Sequence, residues 1–354
     1  MSDRFFSRAA ACFTAAALLA GGAARAADFP MRGALAVESA ARGVGRPDLP
    51  QLRVSPGPGA AKTMAALTRK LADSGEAVTT FGEPRMENGK GHTAALWADG
   101  RSLLVYGDGT KVSFRNSEEL KASTPAAERM SMDKLEQIGR AFIERELADQ
   151  VRLGANEKLE AFSTRVQVGG GADVKSTARP EEQVLANAIV FTRTVDGVPV
   201  LGSGSKVAVL VTNDGKVAGF DFDWASFQPT GKRVKALGPA QIRERVKALS
   251  IARLDSPDVT VRRYECGLYD AGLRDREPQG ALQGACLIHS TERKIADPVA
   301  YARDPNSGHV MSATIDVIPV GETVELDSHW PQAQKLLGLN GGDRAMPASP
   351  GPRP

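Results

Sequence analysis

The sequence is short of the residues on which several kinds of chemistry depend. Only 5% of its 354 residues are aromatic, too few to build stacking platforms for single-stranded nucleic acid. Basic and acidic side chains nearly balance, 45 against 42, and no basic block of five or more occurs. Of the net +3, two charges lie in the first 26 residues, where Arg4, Arg8 and Arg25 stand against Asp3. A nucleic-acid or anionic-lipid partner therefore has little electrostatic basis. The four histidines, His92, His289, His309 and His329, are scattered, and no HExxH sets two of them on one helix face for zinc. There is no GxSxG elbow, no nucleophile triad and no Gly-rich loop ending in Gly-Lys-Ser/Thr. No catalytic, cofactor-binding or metal-ligating residue is assigned. Past the N-terminal segment, no apolar run approaches the ~18 residues of a membrane helix.

What the sequence does have begins with a targeting signal. Arg4 and Arg8 precede a 12-residue apolar stretch, Ala9–Ala20, and Ala24-Arg25-Ala26 fits the small-x-small cleavage rule. Met1–Ala26 reads as a signal peptide, with Ala27 the new N-terminus. The competing reading is an uncleaved anchor. The alanine-rich style is that of bacterial exporters, and the expected location is periplasmic or extracellular. Of three cysteines, Cys12 would leave with the signal, and Cys266 and Cys286 remain. An even pair in an oxidising compartment reads as a disulfide. Two buried free thiols are the alternative, and zinc is the weakest reading because no CxxC occurs.

Hydrophobic residues at 42% and charged residues at 25% place the remainder among soluble globular chains. Residues 27–60 form a Pro/Gly-rich leader read as extended or disordered, and 338–354 a similar tail. Three segments lie between, 61–122, 123–232 and 233–337, each opening with an amphipathic helix followed by strands. In the first, Met64, Leu67 and Leu71 stripe a helix over Lys62–Asp73. Strands are expected at Ala77–Phe81, His92–Trp97, Arg101–Tyr106 and Lys111–Phe114. In the second, Ser131 caps a helix to Asp149 carrying Leu135, Ile138, Phe142 and Leu147. Strands follow at Glu157–Val168, Asn187–Val195, Val198–Leu201, Lys206–Thr212 and Lys216–Trp224. In the third, Ile242, Val246 and Leu249 stripe a helix over Pro239–Ser250. Strands follow at Val259–Tyr269, Ala281–Thr291, Val299–Ala302 and Val310–Pro319. Asp-Gly pairs at 99–100, 108–109, 196–197 and 214–215 supply tight turns. The class is α+β, with helices on curled antiparallel sheets. One large sheet shared by the second and third segments is an alternative.

The stretch from Asn187 to Trp224, NAIVFTRTVDGVPVLGSGSKVAVLVTNDGKVAGFDFDW, resembles the PepSY and thermolysin-propeptide class of secreted domains. The matching residues are Phe191, Asp196, Gly197, Val198, Pro199, Val200, Gly202, Val207, Val209, Asp214, Gly215, Lys216 and Val217. The resemblance covers roughly 95 residues of the second segment, with the helix over Met132–Leu147 where the class keeps its own. It implies tandem cystatin-like units and a role in binding or restraining a peptidase. Those propeptides precede a metallopeptidase in the same chain and this chain has no HExxH, so a peptidase would be met in trans. The matched residues also have purely structural reasons, since turn chemistry and strand alternation account for them. Gly202-Ser203-Gly204-Ser205 lies between two strands and reads as a hairpin or bulge.

Asp221, Asp223 and Trp224 form the most suggestive polar group. Asp221 and Asp223 share one face of a strand. That pattern is read as a solvated face, with Phe220, Phe222 and Trp224 in the core; a Ca²⁺ site or an acid/base pair is the sharper alternative. His289 and His309 could meet across strands, but each reads better as a lone polar or satisfied histidine. The leading functional expectation is an exported, non-catalytic module that binds another protein, such as a secreted peptidase. The alternatives are a self-associating envelope protein and an enzyme at Asp221 and Asp223. No cofactor is called for.

Overall fold

The computed structural model describes residues 48–73, 83–169, 183–235, 241, 258–276, 280–304 and 307–319. The signal peptide, the leader up to residue 47, the strand at Ala77–Phe81, the helix over Pro239–Ser250 (Gln241 apart), His329 and the tail lie outside the described residues.

The elements run β1 (Asp48–Val54), α1 (Ala60–Asp73), β2 (Arg85–Gly89), β3 (His92–Leu96), β4 (Arg101–Tyr106), β5 (Lys111–Asn116), α2 (Ser117–Ala122) and α3 (Met132–Glu146). They continue with β6 (Glu157–Gly169), β7 (Gln183–Val195), β8 (Val198–Gly202), β9 (Lys206–Thr212), β10 (Val217–Asp223) and β11 (Phe227–Lys235). Last come β12 (Val259–Asp270), β13 (Gln283–Ile295), α4 (Pro298–Arg303) and β14 (His309–Pro319). The class is α+β, dominated by strands. Twelve strands form one sheet in the order β14-β13-β12-β8-β7-β9-β10-β5-β4-β3-β2, with β6 also on β7; β1 and β11 form a separate ribbon.

The continuity of the sheet depends on one detour. Thr194 pairs with Pro199 of β8 and Thr192 with Lys206 of β9. β8 and β9 are therefore one interrupted antiparallel neighbour of β7. The rest of β8, from Val200 to Gly202, leaves β7 and runs parallel to β12, with Val200 opposite Leu268. The first segment joins on the other side, where Phe220 of β10 faces Phe114 of β5.

One face of the sheet carries two cores. Under α1 and α3, Met64, Leu67, Leu135 and Phe142 pack on Leu103, Phe114, Val209, Phe191 and Phe220. The helix starts as its sequence dictates, with the Ser131 hydroxyl accepting from Lys134 N–H at 3.4 Å. The second core lies under the β1–β11 ribbon. There Leu49, Leu52 and Val54 meet Val198, Val200, Leu268, Cys286 and Ile288.

Five expectations change, one being that Phe227–Lys235, where no element was expected, is a strand. Residues 48–54 of the leader form a strand, because Leu49, Leu52 and Val54 alternate into the second core and β11 supplies the ladder, Asp48 opposite Lys235. Arg85–Gly89 is a further strand. Ser117–Ala122 is a short helix capped by Asn116, whose side chain accepts from Glu119 N–H. Residues 299–302, expected as a strand, belong to helix α4. Asp297 accepts from the N–H groups of Val299 and Ala300, and Pro298 occupies the first turn, where its missing donor is not needed.

Candidate functional site

The residues of the family resemblance occupy structural positions. Asp196 and Gly197 close the β7–β8 hairpin with φ of 51° and 71°, the two left-handed residues a type I′ turn demands. Phe191 is buried beneath α3. Val198 and Val200 enter the second core and Val207 and Val209 the first. Pro199 is exposed on β8. Asp214 and Gly215 turn β9 into β10. Cys266 and Cys286 stand directly opposite on β12 and β13, bonded as a disulfide with Cα atoms 4.0 Å apart.

The Gly202–Ser205 detour packs against the end of β12. Gly204 N–H donates to the Asp270 carbonyl at 3.1 Å, and a Cβ on Gly204 would sit 2.3 Å from the Asp270 carboxylate. Only glycine permits that approach. Ser205 Oγ donates to Asp270 Oδ2 at 2.8 Å, and Ser203 Oγ donates to the Ala271 carbonyl.

Asp270 belongs to a buried charge cluster that also holds Asp223. Arg276 Nη2 donates to Asp223 Oδ1 at 2.6 Å and Arg276 Nε to Asp270 Oδ1 at 2.8 Å. Arg276 Nη1 reaches Thr110 Oγ1 at 3.3 Å. Gly272 N–H fills Asp270 Oδ1 and Leu273 N–H fills Asp223 Oδ2. This corrects the solvated-face reading for Asp223. It does share a strand face with Asp221, but the turn after β12 covers it. Asp221 remains half-exposed and pairs with Arg115 at 2.6 Å. The two carboxylates thus take different partners. Burial raises the Asp223 pKa, against the pull of Arg276. Burial also works against the Arg276 charge, but Asp270 and Asp223 outweigh it and hold its pKa above the usual value. All four carboxylate oxygens have donors, so the cluster ties the β12–β13 turn to β10 and to the detour.

Trp224 lies in the first core, its Nε1–H donating to the Arg152 carbonyl at 3.0 Å. Beside it is a residue that the sequence analysis missed. Arg193 is fully buried at the seam of the two cores, between the rings of Trp224 and Phe227. Its Nη1 lies 3.5 Å from Glu157 Oε1, while Nε and Nη2 have no hydrogen-bond partner among the described residues. Burial lowers its pKa to about 10, partly offset by Glu157. An arginine alternating with Phe191 and Val195 was the available signal.

His289 and His309 do not meet. His289 faces Ile315 across β13–β14, whereas His309 faces Ile295, six residues further along β13. Among the described residues, no group of three or more His, Cys, Asp or Glu side chains is placed to hold a metal ion. No described helix is long and apolar enough to cross a membrane.

The most distinctive surface is the β13–β14 end of the sheet. Leu287 and Val317 face each other in a small buried cluster with Leu201 and Ala285. Along the same sheet face β14 emerges into solvent at Ile315, Ala313 and Met311, opposite His289, Thr291 and Arg293 of β13, and Ile295 ends β13 opposite His309. Met311 is 56% exposed and Ile295 54%. β14 is the terminal strand of the sheet order.

No family model matches the chain, and no curated protein matches it. Among solved structures it is similar to an uncharacterized protein from Eubacterium rectale ATCC 33656. The identity is 10%, the match covers 79% of this chain and 86% of that one, and the TM-score is 0.49.

Proposed function

We propose that this protein is an exported, non-catalytic binding module of the PepSY and thermolysin-propeptide class, built from tandem cystatin-like units. It acts in trans on another protein, a secreted peptidase in first place, and grips it with the β13–β14 end of its sheet. The observation that carries the reading is the apolar strip of Ile295, Met311 and Ile315 on the outermost strands. Exposed apolar side chains beside a strand that is terminal among the described residues supply both parts of strand-addition recognition, main-chain hydrogen bonds and side-chain contact. The Phe191 to Val217 motif supplies the link to peptidases. An enzyme at Asp221 and Asp223 has less support, because both carboxylates are committed to arginines.

The test is capture by the immobilised protein from the producing organism's periplasmic and secreted proteins. The expected result is a stoichiometric peptidase whose activity falls on mixing, lost with the variant Met311→Lys/Ile315→Lys. No stoichiometric partner, or self-assembly through β14 in place of one, overturns the reading.

A further inference from the structure

The opposite end of the sheet carries a different feature. β2 is the other terminal strand, and all five of its residues are exposed. α1 packs over β3 and β4, where Met64 and Leu67 meet Ala95, Leu103 and Val105. It stops one strand short of the edge. Between its outer flank and β2 runs a groove of about 530 Å³, lined by Ala61, Met64, Ala65, Thr68 and Arg69 on the helix side. Met86, Asn88 and Thr93 line the sheet side.

The ladder shows which main-chain groups at this edge are free among the described residues. Trp97 N–H donates to the Arg101 carbonyl at 3.0 Å, so the odd-numbered residues of β3 bond towards β4. Hydrogen-bonding direction alternates along a strand. The even-numbered residues His92, Ala94 and Leu96 therefore bond to β2, through Gly89, Glu87 and Arg85. Met86 and Asn88 are left with N–H and C=O groups turned outward. Their side chains lie on the α1 face, since Met86 pairs with the buried Ala95. The free main chain and the groove are thus presented by the same two residues.

Two polar groups indicate what the groove takes. Thr68 Oγ1 is buried in its wall with no hydrogen-bond partner among the described residues. Arg69 is the charged side chain that lines it, exposed and without an ion pair among the described residues. The nearby Arg85 is already matched to Glu87 at 2.7 Å, and those two lie on the opposite face of β2. The remaining walls are alanine and methionine, small or adaptable surfaces for aliphatic side chains.

We infer that the α1–β2 groove is a second recognition site, which binds an extended acidic peptide segment of a partner by adding it as a strand to β2. Every second side chain of that segment points under α1, a carboxylate towards Arg69 and an aliphatic group between Met64 and Met86. The site is separate from the β13–β14 surface and does not depend on that surface binding a peptidase.

The probe is a fluorescein-labelled Thr-Val-Thr-Glu-Thr-Val-Thr peptide, with lysine in place of glutamate as its control, titrated into the full chain by anisotropy. The expected result is saturable binding of the acidic peptide, about tenfold tighter than the lysine peptide. Arg69→Glu removes that preference. Met86→Pro abolishes binding while leaving the β3 ladder intact, because the lost N–H faces outward. Bound peptide slows amide exchange at Met86 and Asn88, and at Glu87 the change is small. Equal binding of both peptides, no binding, or unchanged exchange at Met86 and Asn88 overturns the inference. Such a failure leaves capture through Met311 and Ile315 unaffected, so the two readings fail separately.

Discussion

The guanidinium of Arg193 stacks on the indole of Trp224, its Cζ 3.8 Å from the ring centroid. Phe227 flanks it at 4.4 Å, so a full charge is held between rings from both sides of the β10–β11 connection. Glu157 is the sole carboxylate in contact among the described residues. Removing one member of a buried pair strands the other without water, which typically costs about 3–5 kcal/mol. Arg193→Met should cost that much in urea unfolding, and adding Glu157→Gln should recover most of it. Simple additivity of the two substitutions would contradict the pairing.

Asp223 gives the protein a pH dependence of defined sign. Burial raises its pKa from 3.8, so the folded state holds this proton more tightly than the unfolded chain does. Its contribution to stability is complete below 3.8 and is lost as pH rises through the raised value. The unfolding free energy of the wild type minus that of Asp223→Asn should therefore fall as pH rises from 3.8 through the raised value. A difference that rises over that range would refute the assignment.

The parts of this architecture that were legible in the sequence are those decided locally. The stripe of Met64, Leu67 and Leu71, the Ser131 cap and the Asp196-Gly197 turn all act within a few residues. What was not legible depends on distant partners. β1 reads as leader because the strand that completes it, β11, lies about 180 residues later in the chain. Asp223 reads as solvated because its cover, Leu273 and Arg276, is about 50 residues away in sequence. At residues 299–302, apolar composition outweighed the Asp297-Pro298 helix start. The charge cluster was half visible, since Asp223 stood out while Asp270 and Arg276 had no local pattern to mark them.

The disulfide closes a segment of 20 residues that contains both Asp270 and Arg276. Restricting that segment in the unfolded chain stabilises the fold by about 3 kcal/mol on the chain-entropy model. Intact mass after alkylation should show no free thiol at Cys266 or Cys286 without reductant. Cys266→Ser/Cys286→Ser should lose about that stability. Two reactive thiols in the untreated protein would contradict the bond.

α3 docks through the gap at Gly139, where an added Cβ would lie 2.7 Å from the Phe191 ring and 2.8 Å from Ile189. Alanine gains about 1 kcal/mol of helix propensity over glycine, but overpacking typically costs about 1–3 kcal/mol. Gly139→Ala should lower the melting temperature. An increase would show that α3 has room to shift on β7.

The central claim is that the apolar strip on β13–β14 binds a peptidase. The most direct measurement titrates the captured peptidase with wild-type protein and with Met311→Lys/Ile315→Lys, following turnover. The account predicts a stoichiometric break for the wild type. It predicts a right-shifted curve for the variant, by roughly 30-fold or more if the strip holds interface hot spots. Superimposable curves, or no effect of either protein on turnover, would contradict it.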